Sequence, residues 1–244
     1  GFSCLMQELI TLLSNNPTAL YIVVGLFSLC IGSFLNVVIL RTPKMMEQEW
    51  RNECQLLLHP DQPLIDETKL TLSYPASTCP NCHTPIRWYQ NLPLVSWLLL
   101  RGKCGQCQNP ISIRYPLVEL LTALCSLIVV AVYGPTLQML FGLLLTWALI
   151  TLTFIDFDTQ LLPDRYTLPL AALGLALNNY ALYTSASSAI WGYVIGFLCL
   201  SIVYYLFKVI TGKEGMGYGD FKLLAALGAW MGPLMLPLIV LLSS

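Results

Sequence analysis

Residues 18–40 read TALYIVVGLFSLCIGSFLNVVIL, a run without one charged side chain that ends at Arg41. Coiled as an α-helix at 1.5 Å per residue, such a run covers the roughly 30 Å of a bilayer's hydrocarbon core. In that core the backbone has no water to bond, so it must close its hydrogen bonds within a helix. The run has no basic segment ahead of it and no small-residue cleavage site, so it reads as a retained helix rather than a signal peptide. Working outward, five more apolar stretches follow at 117–133, 137–155, 168–183, 189–207 and 221–242. Charges or turn residues such as Gly134-Pro135 bound them. The stretch at 168–183 is the shortest and carries Asn178 and Asn179. The expected fold is therefore an α-helical polytopic membrane protein with about six transmembrane helices.

The composition agrees. Of 244 residues, 12 are Lys or Arg and 13 Asp or Glu, so 10% are charged and 56% hydrophobic. Soluble domains run near 25% charged, which excludes a disordered chain, an ordinary soluble enzyme and a nucleic-acid binder with a basic face. No Lys or Arg precedes Arg41; eight lie between residues 41 and 116, and the others are Arg165, Lys208, Lys213 and Lys222. Six alternating crossings place all 12 on one side, which the positive-inside rule makes cytoplasmic. The N-terminus is then periplasmic. Three domains are expected: 1–40 with the first transmembrane helix, a cytoplasmic domain at 41–116, and a transmembrane core at 117–244. The 41–116 domain holds seven prolines from Pro60 to Pro110, which argues against long helices there. The sequence suggests no internal repeat.

Within 41–116 stand Cys79-Pro80-Asn81-Cys82 and Cys104-Gly105-Gln106-Cys107, with 21 residues between the pairs. Two CxxC turns place four thiolates at the corners of a tetrahedron, which suits a closed structural zinc site. Paired disulfides fit poorly with a reducing compartment, and His83 is a possible substitute ligand. Cys30, Cys125 and Cys199 fall in apolar stretches, while Cys4 and Cys54 stand alone.

Carboxylates at the ends of apolar helices are costly and point to function. The third stretch runs into Asp156-Phe157-Asp158 and on to Leu162-Pro163-Asp164. The sixth is preceded by Gly215-Met216-Gly217-Tyr218-Gly219-Asp220. Glycines at 215, 217 and 219 allow a close-approaching backbone ahead of a helix, with Asp220 at or near its N-cap. Each acid could simply be a cap or a boundary charge. Two that face each other across a membrane-edge cleft can share a proton, one acting as general base on water and the other as acid. Asp156 and Asp158 lie about 200° apart on a helix, so only one would face such a cleft, and periodicity does not say which. Asp164 would cap the following segment or support the loop.

These residues resemble the bacterial type IV prepilin peptidases, a family of GxGD aspartyl membrane proteases. The run from Lys213 to Leu224 is similar to the family's GxGD signature, and Ile155-Asp156 to Pro163-Asp164 to its other aspartate segment. Gly32-Ser33-Phe34-Leu35-Asn36-Val37-Val38 with Arg41 and Pro43 resembles the first-helix signature. The CxxC pairs, Asn91-Leu92-Pro93-Leu94-Val95-Ser96 and Arg114-Tyr115-Pro116-Leu117-Val118-Glu119 resemble the cytoplasmic domain. The resemblance implies a bifunctional inner-membrane enzyme. It would cut basic leader peptides from type IV prepilins and type II secretion pseudopilins, then N-methylate the new N-terminus with S-adenosylmethionine. It also implies that Asp156 and Asp220 are the catalytic pair, with Gly217 and Gly219 shaping the loop, and Cys79, Cys82, Cys104 and Cys107 the zinc ligands.

The methyl donor has no motif of its own here: GMGYG follows a membrane helix rather than a strand, and the region of Arg101-Gly102-Lys103 is the nearest candidate. The family carries about eight membrane helices, so a chain ending after the sixth implies missing ones; Gly1-Phe2-Ser3 reads as a trimmed or foreign start. The expected partners are prepilins or pseudopilins and the lipid bilayer, with no nucleic acid. The competing readings are another GxGD protease without methyl transfer and a non-enzymatic membrane assembly factor.

Overall fold

The computed structural model describes residues 15–59, 70–86, 92–212 and 217–243. Its helices are α1 (Pro17–Leu58), α2 (Val95–Leu99), α3 (Arg114–Tyr133), α4 (Leu137–Thr159), α5 (Asp164–Asn178), α6 (Ala186–Thr211), α7 (Tyr218–Met231) and α8 (Leu236–Ser243). No strand occurs among the described residues. The chain forms two compact units, Gly1–Thr151 and Leu152–Ser244, divided within α4.

Four helices, α1, α3, α4 and α6, are long and apolar enough to cross a membrane. The fourth and sixth apolar stretches form shorter pieces. Helix α5 has 15 residues and stops where Asn178, fully buried, spends its side chain on the turn that follows. The sixth stretch is not one helix. Gly232 takes φ +79° and Pro233 has no amide to donate, so α7 ends after 14 residues. A 3-10 turn (Pro233–Met235) leads on to α8.

In the first unit α1 and α3 run antiparallel. A Cβ at Gly25 would touch Leu127, and one at Gly32 would come within 2.7 Å of Glu119 Cα. Only glycine permits that approach. The facing hydroxyls of Thr122 and Ser126 are fully buried and donate to the carbonyls of Val118 and Thr122, both at 2.7 Å. Trp147 Nε1 donates in turn to Ser126 Oγ at 2.9 Å. Leu20, Val24, Val130, Met139 and Leu143 close the core toward the start of α1.

One expectation is corrected: α1 does not stop near Leu40 but continues through Pro43 to Leu58. The prolines that argue against helix begin only at Pro60. Pro43 removes a single backbone donor, and the turns after it are supported by an Arg51–Glu47 ion pair at i,i+4. This extension anchors the cysteine-bearing segment. Arg41 donates to the carbonyls of Thr71 (2.9 Å) and Pro75 (2.7 Å), and Gln48 Oε1 accepts the Leu70 amide (2.9 Å).

In the second unit α6 and α7 cross back to back. A Cβ on Gly192 would lie 2.1 Å from the Gly228 carbonyl oxygen, and one on Gly196 would lie 2.8 Å from that of Leu224. Helix α5 runs parallel to α7. Asn178 Nδ2 donates to the carbonyls of Ala229 (2.8 Å) and Trp230 (3.0 Å) at one end. Asp164 meets Lys222 at the other. The ends of α4 and α6 and the starts of α5 and α7 therefore share one end of this unit.

Candidate functional site

Two chemically distinct centres emerge, one in each unit. The first is the cysteine cluster. Cys79, Cys82, Cys104 and Cys107 bring their sulfurs within 4.8 Å of one another. Cys79 and Cys107 are 3.8 Å apart, and Cys82 and Cys104 4.0 Å. Those spacings far exceed the roughly 2.05 Å of a disulfide. They match the sulfur separation of a tetrahedron with metal–sulfur bonds near 2.3 Å, about 3.8 Å. The donor set and its geometry therefore fit a zinc-type ion. His83 is not part of the cluster, although it follows Cys82 directly.

The structure reveals a repeat that the sequence alone did not suggest. Residues 77–86 and 102–111 are two copies of one turn. The amide of Cys79 donates to Thr84 O and that of Cys104 to Asn109 O; His83 donates to Cys79 O and Gln108 to Cys104 O; Ile86 donates to Ser77 O and Ile111 to Gly102 O. His83 and Gln108 share the same left-handed backbone, at φ 55° and 57°. The matching letters were there, C-x-x-C-x-x-P-I in both, though only four of ten positions coincide. In each copy the first sulfur accepts amides from the two residues ahead of and at the second cysteine. Hydrogen bonds from Thr84's hydroxyl and amide pull the Cys82 thiol down to about 6, and the amides of Cys107 and Gln106 lower Cys104. Both favour the thiolate that a metal binds. Nearby, Gly102 sits at φ +66° against the Trp97 ring, where a Cβ would come within 2.9 Å.

A buried carboxylate joins this segment to the helices. Glu119, 6% exposed, accepts the Leu94 amide at 2.8 Å, while Asn36 Nδ2 donates to Tyr115 O at 3.0 Å. Neither contact is legible in the sequence alone. The signal of these residues was a charge and an amide inside otherwise apolar helices.

The second centre is the carboxylate end of the second unit. Asp156 lies in the last turn of α4 and is half-buried, whereas Asp158 is exposed. Asp220 lies in the first turn of α7, just ahead of its apolar run, with Gly217 rather than itself as N-cap. Its carboxylate accepts the Gly217 amide, the half of a capping box that a third-position acid supplies. Burial raises the Asp220 carboxyl above its ordinary range, and the charge of Asp156 pushes it further the same way. The two acids are thus electrostatic neighbours although they come from different helices.

Gly219 has a packing reason. A Cβ there would stand 2.6 Å from Leu162 Cβ and 3.4 Å from its carbonyl oxygen. The segment after Asp156 therefore lies directly on the start of α7. Asp164 is the first residue of α5, with Pro163 rather than itself as N-cap and no side-chain capping bond; Lys222 Nζ reaches its two oxygens at 2.8 and 2.6 Å instead. Gly215 and Met216 of the signature lie outside the described residues. So do Lys213 and Glu214, Lys69, Arg87, Asn91, Pro60 and Pro63, and residues 1–14 with Cys4 and Glu8.

Comparisons with known proteins cover both units. Residues 26–133 match the family model described as Bacterial Peptidase A24 N-terminal domain, and residues 143–244 match that of the Type IV leader peptidase family. The prepilin leader peptidase/N-methyltransferase of Aeromonas hydrophila is 53% identical over 98% of this chain and 82% of its own length. Those of Stutzerimonas stutzeri and Pseudomonas aeruginosa are 51% and 50% identical, over 95% and 98% of this chain and 80% and 82% of theirs. No solved structure matches the chain. With a relative this similar along nearly its whole length, and both family models matching in order, the chain belongs to the type IV leader peptidase family.

Proposed function

We propose that the chain cuts the leader peptide from prepilins by means of Asp156 and Asp220 and methylates the new N-terminus, as its relatives' names state for them. The observation that carries the peptidase half is the meeting of two carboxylates from separate helices at one end of the second unit, one raising the other's proton affinity. Asp220, pushed toward its protonated form, is the acid that donates to the scissile carbonyl. Asp156, the neighbouring carboxylate, takes a proton from the attacking water. A half-buried site at a helix end admits that water while keeping the acids close.

The four cysteines would hold zinc, which supplies no open coordination position and so ties the two turns together. S-adenosylmethionine would be the methyl donor. Among the described residues there is no strand, hence no strand–loop–helix cradle of the Rossmann kind, and no residue is assigned to the donor.

The substrates extend to pseudopilins, and the site faces the cytoplasm of a bacterial inner membrane. The support is charge: eight of the 12 Lys and Arg fall between residues 41 and 116, where a positive-inside topology needs them. A basic leader followed by a hydrophobic helix presents its scissile bond at that depth.

The test is to incubate detergent-purified protein with full-length prepilin and to compare Asp156→Ala and Asp220→Ala. Both variants are expected to lose cleavage while keeping their bound metal. Undiminished cleavage by either would overturn the aspartate pair. Transfer of a labelled methyl group from S-adenosylmethionine to the cut product reads the second activity.

A further inference from the structure

The segment that carries Asp156 and the helix that carries Asp220 are held together by two contacts outside the reacting groups. Gly219 lies against Leu162, and Lys222 grips both oxygens of Asp164. The loop between is short and constrained. Gln160 takes a left-handed φ of 53°, its amide donates to Asp156 O at 2.7 Å, and Pro163 is fully buried. At the other end of the same two helices Asn178 and Trp230 tie α5 to α7; Trp230 Nε1 donates to Leu170 O at 2.8 Å. Helix α7 is thus pinned to α5 at both ends, and only the Lys222 end borders the carboxylates.

We propose that Lys222 and Asp164 form a positioning clamp that sets the separation of the two aspartates, with Lys222 reaching across to the loop that follows Asp156. This inference rests on the proposed aspartate pair. An ion pair this exposed, with side-chain exposures of 31% and 52%, contributes little to global stability. What it supplies is geometry. A fork of two short bonds fixes the start of α7 against the 160–164 loop, and a shift of about 1 Å at a reacting group can cost on the order of a hundredfold in rate.

Among the described residues, the charged and titratable groups at this end, besides Asp220 itself, are Asp156 and Asp158 on α4, Asp164, Arg165 and Tyr166 on α5, Tyr204, Tyr205 and Lys208 on α6, and Tyr218 and Lys222 on α7. The charge that acts on the Asp220 carboxyl is that of Asp156. If the clamp opens and the aspartates part, that push fades and the Asp220 carboxyl returns toward its ordinary range. The alkaline limb of the pH–rate profile then moves to lower pH. Loss of folded enzyme would lower the rate at every pH without moving the limb.

The experiment measures kcat, KM and the pH profile of prepilin cleavage by the full chain, per folded protein, for Lys222→Ala, Asp164→Asn and Lys222→Arg. Both Lys222→Ala and Asp164→Asn are expected to lower kcat about tenfold, to change KM less than twofold and to shift the alkaline limb down. Lys222→Arg, which keeps a forked cationic donor, restores kcat to within about threefold and returns the limb. The clamp is overturned if either removal leaves kcat unchanged, if the loss appears in KM alone, or if kcat falls with the limb in place. Asp156→Ala, run in parallel, separates the two ideas. An active Asp156→Ala sinks the aspartate pair, whereas an inactive one beside a fully active Lys222→Ala sinks only the clamp.

Discussion

The cysteine centre and the aspartate end are each assembled from two pieces of chain, but in opposite ways. The cysteines come from one turn used twice, with the same three backbone hydrogen bonds in each copy. Each copy is complete within ten residues, and only the meeting of the two is tertiary. The aspartates come from unlike pieces, the last turn of α4 and the first turn of α7. Neither piece is a site alone. Their meeting depends on α5 and α6 carrying the chain away and back, and on glycine-thin contacts at residues 192, 196, 219 and 228. A centre made of self-sufficient turns should resist distant changes and yield to loss of its metal. A centre made of helix ends should do the reverse.

The largest expected effect tests that contrast directly. Asp156→Asn or Asp220→Asn should lower prepilin cleavage by at least about a thousandfold, while metal content, read by atomic emission, stays at the wild-type ratio. Conversely, Cys82→Ser should abolish tight metal binding, and residues 70–111 should become readily digested in limited proteolysis. Measured on the same sample, cleavage chemistry should fall by less than about tenfold if the two centres are as independent as their construction suggests.

A mid-sized effect is expected at Gly219. An added Cβ would crowd Leu162 and its carbonyl, so Gly219→Ala should slow cleavage by about ten- to a hundredfold, and Leu162→Ala in the same chain should recover part of it. Gly192→Ala meets the Gly228 carbonyl instead. That clash costs about 1–3 kcal/mol and should lower the melting temperature in detergent by several degrees, while the metal site again stays loaded.

The smallest effect runs opposite to activity. Burial and Asp156 both raise the Asp220 carboxyl, so the folded state prefers it protonated. The stability tied to this group is full below the ordinary carboxyl pKa and is lost as pH rises through the raised one. At neutral pH, Asp220→Asn removes that penalty and should raise the melting temperature by about 1–3 °C, with no gain near pH 4. A melting temperature that falls at neutral pH would show that Asp220 serves the fold more than the chemistry.

Much of this was legible in the residues because the signals are local. Apolar runs at 18–40, 117–133, 137–155 and 189–207 correspond to the four long helices, since a bilayer leaves helix as the only economical answer. The CxxC pairs announced a four-sulfur site. Other features were hidden because they depend on neighbours distant in sequence. Nothing local distinguishes Asp164 as Lys222's partner, or Glu119 as the acceptor for Leu94. The continuation of α1 to Leu58 was masked by counting prolines that begin only at Pro60. The break at Gly232 was masked by hydropathy, which does not register a left-handed turn.

By itself the sequence determined that this chain is helical and apolar, which residue types could bind a metal or move a proton, and which way its charges fall. Those properties follow from side-chain chemistry and spacing, which are already present in the unfolded chain. Only the tertiary structure decided that Asp156 rather than Asp158 is the carboxylate beside Asp220. It also decided why residue 219 has no side chain, and that two differently spelled turns are the same object. Each of these is a matter of which atoms come within a few ångströms, and the packing of α5, α6 and α7 settles that.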